Sequence, residues 1–129
     1  MSKNTVERTE GHHVVTCKAD STVAIAKGEA IVFTTSDYLV TTLPDQNTHA
    51  QGIALEAHTI NVVECIRVLL PGPVVRVTAG DILVTGAMVN GDAAIPEEWI
   101  ADTTDPAGFA LTNAADKAAM DICFVGEQD

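Results

Sequence analysis

Short apolar runs separated by turn-forming residues make up most of this 129-residue chain. The runs are rich in Val, Ile and Thr and are bounded by Gly, Pro, Asn and Asp, which is typical of β-strands joined by tight turns. Asn90-Gly91-Asp92 predicts a hairpin turn. The pattern predicts strands at Val14–Cys17, Thr22–Ala26, Ala30–Thr35, Tyr38–Leu43, Asn61–Leu70, Val74–Thr78, Ile82–Thr85 and Ala93–Ile95.

Helical signals are scarce. Only Leu55–Thr59 and Thr112–Ala119 are candidates, the second because Thr112 or Asn113 could cap a run of alanines. An isolated helix of this length is marginal, so packing would have to hold it in place. The fold class we expect is mainly β: a compact single domain of short strands with one or two short helices.

The first thirteen residues differ from the rest, because they are polar and lack an apolar period. We expect residues 1–13 to form a flexible N-terminal arm and residues 14–129 to form one β-rich domain.

An internal repeat suggests that this domain has two related halves. Residues 23–34, 51–57 and 63–72 resemble residues 75–86, 107–113 and 120–128. In this alignment Gly28 matches Gly80, and Gly52–Leu55 matches Gly108–Leu111, so the second half would hold an insertion between the two matches. Chance similarity among short strands rich in Val, Ala and Gly is the alternative.

The net charge of −11 excludes some partners. Only seven Lys and Arg residues are present, and they are scattered, which argues against nucleic acid and against an anionic membrane surface. Residues 73–129 carry two basic and ten acidic side chains, so this half should present an acidic surface. No stretch has the length of a transmembrane helix or the apolar core of a signal peptide, so we expect synthesis in the cytoplasm of the cell that expresses it.

Reactive residues do not form a recognisable site. Cys17, Cys65 and Cys123 are far apart in sequence, and we expect free thiols, with Cys65 and Cys123 buried in apolar strands. The histidines, at 12, 13, 49 and 58, lack zinc-site spacing and are expected to be solvated or partly buried. Glu97 and Glu98 fit a solvated charge cluster better than a glycosidase pair. We therefore predict no catalytic residue, no metal and no cofactor.

Trp99 is the only tryptophan and lies in the acidic segment Pro96-Glu97-Glu98-Trp99-Ile100. Tryptophan is enriched at interface hot spots, but it also fills cores. The sequence leaves two alternatives open: Trp99 plugs the edge of the domain, or it lies in an interface with a partner.

The placement of glycine and alanine carries a family resemblance over about residues 20–125. The segments Ile25–Ala30, Gly52–Ala57, Ile66–Gly72 and Val77–Gly86 resemble those of the small capsid decoration (cement) proteins of tailed phages. The resemblance implies a non-enzymatic homotrimer that binds the major capsid protein on the outer surface of the expanded head and stabilises it. It also implies an N-terminal arm that adds a strand to a capsid loop, here through Thr5, Val6, Arg8 and Thr9.

Two other functions remain as alternatives. A tail, spike or adhesion subunit could be built from similar β-units. A small trimeric enzyme would need convergent polar residues with perturbed pKa values at a subunit interface, and the sequence offers no such set.

Overall fold

Ten short strands build the protein in a computed structural model that describes residues 13–95 and 97–126. They are β1 Val14–Ala19, β2 Ala30–Phe33, β3 Leu39–Thr42, β4 Gly52–Ala54, β5 Cys65–Leu69, β6 Val74–Ala79, β7 Met88–Gly91, β8 Glu98–Ala101, β9 Gly108–Ala110 and β10 Ala119–Phe124. The predicted mainly β class is confirmed. No helix of the described part has the length and apolar character needed to cross a bilayer.

The first five strands close into a small barrel in the order β1-β3-β2-β4-β5. β1 pairs in parallel with β3 and antiparallel with β5, whereas the other pairs are antiparallel. Closure leaves no unpaired edge along these strands, which removes a common route to aggregation. Alternate residues of β1 and β5 face the interior, as the period of two requires.

The last five strands repeat this topology, because β6, β8, β7, β9 and β10 close in the same order with the same parallel pair. The predicted pseudo-repeat of two halves is thereby confirmed. Every residue of the first core cluster has a counterpart in the second. Cys17, Ala19, Ile25, Ile31, Val40, Ala54, Ile66 and Val68 occupy the positions of Val77, Ala79, Leu83, Val89, Trp99, Ala110, Met120 and Ile122.

The predicted alignment of the repeat is right at one place and wrong at another. Gly52 and Gly108 are equivalent, since each begins the fourth strand of its barrel. Gly28, however, corresponds to Gly86 and not to Gly80. Gly28 and Gly86 have φ values of 90° and 91°, and their N–H groups donate to the carbonyls of Ala54 and Ala110, an equivalent pair. The offset is 60 at the first strands and 54 at the fifth, so the second half is shorter. Between the two glycine matches it has a net loss of two residues and not the predicted insertion.

Several predicted elements are wrong. The predicted helices at Leu55–Thr59 and Thr112–Ala119 are absent: His58 and Ala114 form isolated bridges with Ile25 and Leu83, and Ala119 begins β10. The predicted strands at 22–26 and 82–85 reduce to these single bridges. Asn90 and Gly91 belong to β7 rather than to a turn.

The two barrels pack directly against each other. Ala30, Ala50 and Ile53 of the first barrel are buried in the same apolar cluster as the core of the second. Gly91 permits this approach, because a Cβ atom built there would lie 2.2 Å from the Cβ of Ala30.

Two amides complete the junction. The Asn90 side chain is fully buried, accepts a hydrogen bond from Ala50 N at 2.8 Å and donates one to Thr48 O at 2.9 Å. Gln46 donates to Gly91 O at 2.7 Å and accepts from the N–H of Ala93 at 3.0 Å. The Asn90 and Gln46 amides at the junction are therefore paired across the two barrels, and the two barrels should behave as one folding unit.

Candidate interaction surfaces

The two sequence-predicted interaction sites have different outcomes. Thr5, Val6, Arg8 and Thr9 lie outside the described residues. Trp99 is fully buried in the core of the second barrel, where its ring meets that of Phe124 edge to face at 5.8 Å. This position fits the packing alternative and leaves the side chain no surface to offer a partner. Its Nε1 has no hydrogen-bond partner among the described residues.

The second barrel carries an exposed apolar patch that sequence reasoning missed. Ile82 is 77% exposed and Val84 is 64% exposed, while Leu83 between them is buried. Met88 and Leu111 are also exposed. We call these four residues the second-barrel patch. The sequence gives no sign of it, because residues 82–84 are all apolar and only the burial of Leu83 in the fold turns both of its neighbours outward.

The first barrel carries a different apolar feature, on residues 59–64, which we call the first-barrel loop. It displays Ile60, Val62 and Val63, of which Val63 is 75% exposed. Asn61 has a φ of 69°, and its N–H donates to Ser21 O at 2.6 Å. This bond helps to hold the conformation in which the apolar side chains are displayed.

His58 is the main support of this loop. Its ring is 3% exposed, which corrects the expectation of a solvated or partly buried histidine. Nδ1 lies 2.9 Å from Val23 O and Nε2 lies 2.8 Å from Val62 O. A neutral imidazole has one N–H, so only the doubly protonated ring can donate to both carbonyls. The Glu64 carboxylate lies 3.8 Å from Nε2.

A shallow pocket opens at the barrel junction, lined by Glu29, Ala30, Thr42, Leu43, Asp92 and Ala93. Burial raises the pKa of Glu29, with a smaller raising effect from Glu97, while a hydrogen bond from Ala26 N opposes the shift. Glu29 Oε1 accepts that bond at 2.9 Å. The lining supplies two carboxylates, one hydroxyl and apolar groups. This lining does not present the convergent nucleophile and base of an active site, and the raised pKa of Glu29 comes mainly from its burial at the junction.

The remaining polar candidates are structural. Glu98 is buried, not solvated as predicted, and pairs with Lys117 at 2.5 Å, an interaction that raises the Lys117 pKa. Cys17 is buried, Cys123 is half-buried and Cys65 is exposed, so the predicted burial of Cys65 is wrong. All three are free thiols. Across residues 13–95 and 97–126, no three His, Cys, Asp or Glu side chains cluster closely enough to hold a metal ion.

Comparison with known proteins identifies the fold. No family model and no curated protein sequence matches the chain. Among solved structures, the head fiber gp8.5 N base of bacteriophage phi29 matches with a TM-score of 0.67 at 12% sequence identity, covering 90% of this chain and 98% of that one. The chain therefore has the fold of a phage head fiber base over nearly its whole described length.

Proposed function

We propose that this chain is a structural, non-enzymatic protein of a phage virion that binds the outer surface of the expanded head and stabilises it. The observation that carries the proposal is the shared fold, because the matched protein is a head fiber base and the match spans almost all of both chains. The partner would be the major capsid protein, with a homotrimer as the binding unit. The acidic surface supports attachment through protein contacts, since a chain of charge −11 disfavours contact with packaged DNA.

Stabilisation follows from selective binding. A ligand that binds only the expanded shell stabilises that state by about 2.7 kcal/mol per site at a hundredfold excess over its Kd. Three copies in one trimer would engage neighbouring sites at high effective concentration, which strengthens attachment without new contacts. The arm residues Thr5, Val6, Arg8 and Thr9 would add a strand to a capsid loop in this arrangement.

The test is to mix the protein with expanded, undecorated capsids and with unexpanded precursors. We expect added surface density on expanded capsids, weak binding to precursors and a higher disruption temperature for decorated capsids. Equal disruption temperatures with and without saturating protein would contradict the stabilising role. Absence of added density on expanded capsids would contradict the proposal as a whole.

A second candidate function is to attach a fiber, spike or adhesion subunit to the head. It is favoured because the matched structure is the base of a head fiber. Such a module would bind the head and leave its disruption temperature unchanged. The same capsid experiment therefore separates the two functions.

A further inference from the structure

The pocket at the barrel junction, which we call the junction pocket, is built by both barrels. The first barrel contributes Glu29, Ala30, Thr42 and Leu43, and the second contributes Asp92 and Ala93. Its volume is about 100 Å³. One water needs roughly 10–15 Å³, so the pocket has room for the end of a side chain. A group bound there would contact both halves of the chain at once.

Glu29 is the most buried polar residue of this pocket, at 2% exposure. One of its carboxylate oxygens accepts the hydrogen bond from Ala26 N, and the other has no hydrogen-bond partner among residues 13–95 and 97–126. No Lys, Arg or His in those ranges forms an ion pair with it. A buried carboxylate with an unused acceptor and no cation is costly, so its place in the wall of a pocket points to a cationic ligand.

The duplicated half shows that the fold does not need this carboxylate. Glu29 N donates to Ala26 O at 3.1 Å in its turn. In the equivalent turn of the second barrel, Ala87 N donates to Val84 O at 3.0 Å. Ala87 therefore occupies the position of Glu29, and it packs against the core of its barrel. Since the same turn forms with a methyl group at this position, the turn itself does not explain the acid.

The oxygen atoms of the pocket fit an ammonium group. Asp92 Oδ1 accepts a hydrogen bond from Ala94 N at 2.9 Å, and Oδ2 has no such partner in the described part of the chain. With Glu29 and the Thr42 hydroxyl, the lining offers acceptors on three separate side chains. An ammonium has three donors, whereas a guanidinium is best matched by both oxygens of one carboxylate. The apolar part of the lining would flank the methylene stem of a lysine.

We propose that the junction pocket receives a lysine side chain of the capsid protein and holds its ammonium between Glu29 and Asp92. This inference rests on the proposed function and names a contact by which the chain recognises the head. The net charge of −11 favours a partner surface that is basic. Because each barrel supplies one of the two carboxylates, only the intact junction presents both.

A titration with n-butylammonium chloride, followed by amide NMR shifts, tests the pocket without a capsid. This probe carries the ammonium and stem of a lysine, and sodium chloride at equal concentration controls for ionic strength. We expect saturable shifts at Leu43 and Ala93. Binding should weaken about tenfold or more in Glu29→Gln and stay unchanged in Asp37→Asn, which removes the same charge from an exposed turn. Shifts that do not saturate, that persist in Glu29→Gln, or that are matched at lower concentration by methylguanidinium would overturn the inference.

Capsid binding tests the source of the lysine. Glu29→Gln and Asp92→Asn each remove one charge and keep an oxygen for the N–H that the carboxylate binds. We expect each variant to bind expanded capsids about tenfold more weakly or worse, and Asp37→Asn to bind like wild type. Wild-type-like binding by both pocket variants overturns this inference and leaves the proposed function standing. A wild type that does not bind expanded capsids overturns the proposed function and the capsid as source of the lysine, while the butylammonium titration still decides whether the pocket holds an ammonium.

Discussion

At the scale of single residues, Gly91 sets how closely the barrels approach. A Cβ at this position would lie 2.2 Å from the Ala30 Cβ but at ordinary contact distance, 3.7 Å, from Leu43. Gly91→Ala should therefore destabilise the protein by about 1–3 kcal/mol through overpacking. Adding Ala30→Gly removes the opposing methyl group. Urea unfolding of the two single variants and the double variant should show that the second change relieves most of the cost of the first.

The matched control for this cycle is Gly86→Ala. Its Cβ would meet nothing within 4 Å, so its cost comes only from the left-handed backbone and should not respond to Ala30→Gly. Purely additive free energies for Gly91→Ala and Ala30→Gly would show that the barrels can separate without penalty.

Glu29 is the residue whose charge works against folding. Because burial raises its pKa in the folded state, the folded protein favours the protonated acid. The stability associated with Glu29 is then fully present below its ordinary pKa of 4.5 and is lost as the pH rises through the raised value. Glu29→Gln keeps an oxygen acceptor for Ala26 N and removes the charge. Its thermal midpoint should exceed that of wild type at neutral pH and converge with it near about pH 4.

The control for this prediction is Asp37→Asn at an exposed turn position. It removes the same charge from the chain without a burial cost, so it separates the local effect from relief of the net negative charge. Equal gains in the two variants would show that burial of Glu29 is not the cause.

At the scale of elements, His58 fixes the first-barrel loop. Its ring fills a buried site and contacts two backbone carbonyls, so His58→Ala should cost about 2–4 kcal/mol through a cavity and two unsatisfied acceptors. Hydrogen exchange should speed up most at residues 59–64, with a smaller and uniform change elsewhere. A change spread evenly over both barrels would contradict a local role of this histidine.

Alternation and turn residues located several strands of this fold but did not define its barrels. Alternating Val, Ile and Cys residues predict β1, β5 and β6. In the structure these strands form long antiparallel pairings, β1 with β5 and β6 with β10. β4 and β9 were missed because three residues are too few to show a period. Alanine content predicts a helix at Thr112–Ala119, but residues 112–118 form a turn and Ala119 begins β10. Ala114 instead fills the core position that His58 occupies in the first barrel, and Lys117 adopts a φ of 71°.

The candidate surfaces, like the strands, could be predicted from the sequence only in part. Residues 82–85 were predicted as a strand, but the outward direction of Ile82 and Val84 depended on where Leu83 is buried, which tertiary packing decides. Trp99 could not be placed from sequence because a core and an interface both favour a large aromatic. Its equivalence to Val40 emerges only from strand pairing. Val40 pairs with Ala19 in the first barrel, and Trp99 pairs with the equivalent residue Ala79 in the second.

At the scale of the whole molecule, the apolar core of the second barrel includes Ala30, Ala50 and Ile53 of the first barrel, which also has a core cluster of its own. We expect a single two-state unfolding transition for the chain, with coincident changes in tryptophan fluorescence, which reports on the second barrel, and in far-UV circular dichroism, which reports on both. Separate transitions by the two probes would show that the junction contributes little to stability.

Asn90 tests this cooperativity from within the junction. Asn90→Ala leaves Ala50 N and Thr48 O without partners on the opposite barrel, so it should cost about 2–4 kcal/mol. The matched control is Asn113→Ala, which removes an exposed acceptor for Thr85 within one barrel and should cost less than about 1 kcal/mol. If the barrels unfold together, Asn90→Ala should lower the protection of the slowest-exchanging amides in β1 and in β10 by the same free energy. A loss confined to β10 would mean that the first barrel folds alone, and that the duplicated halves are joined without depending on each other.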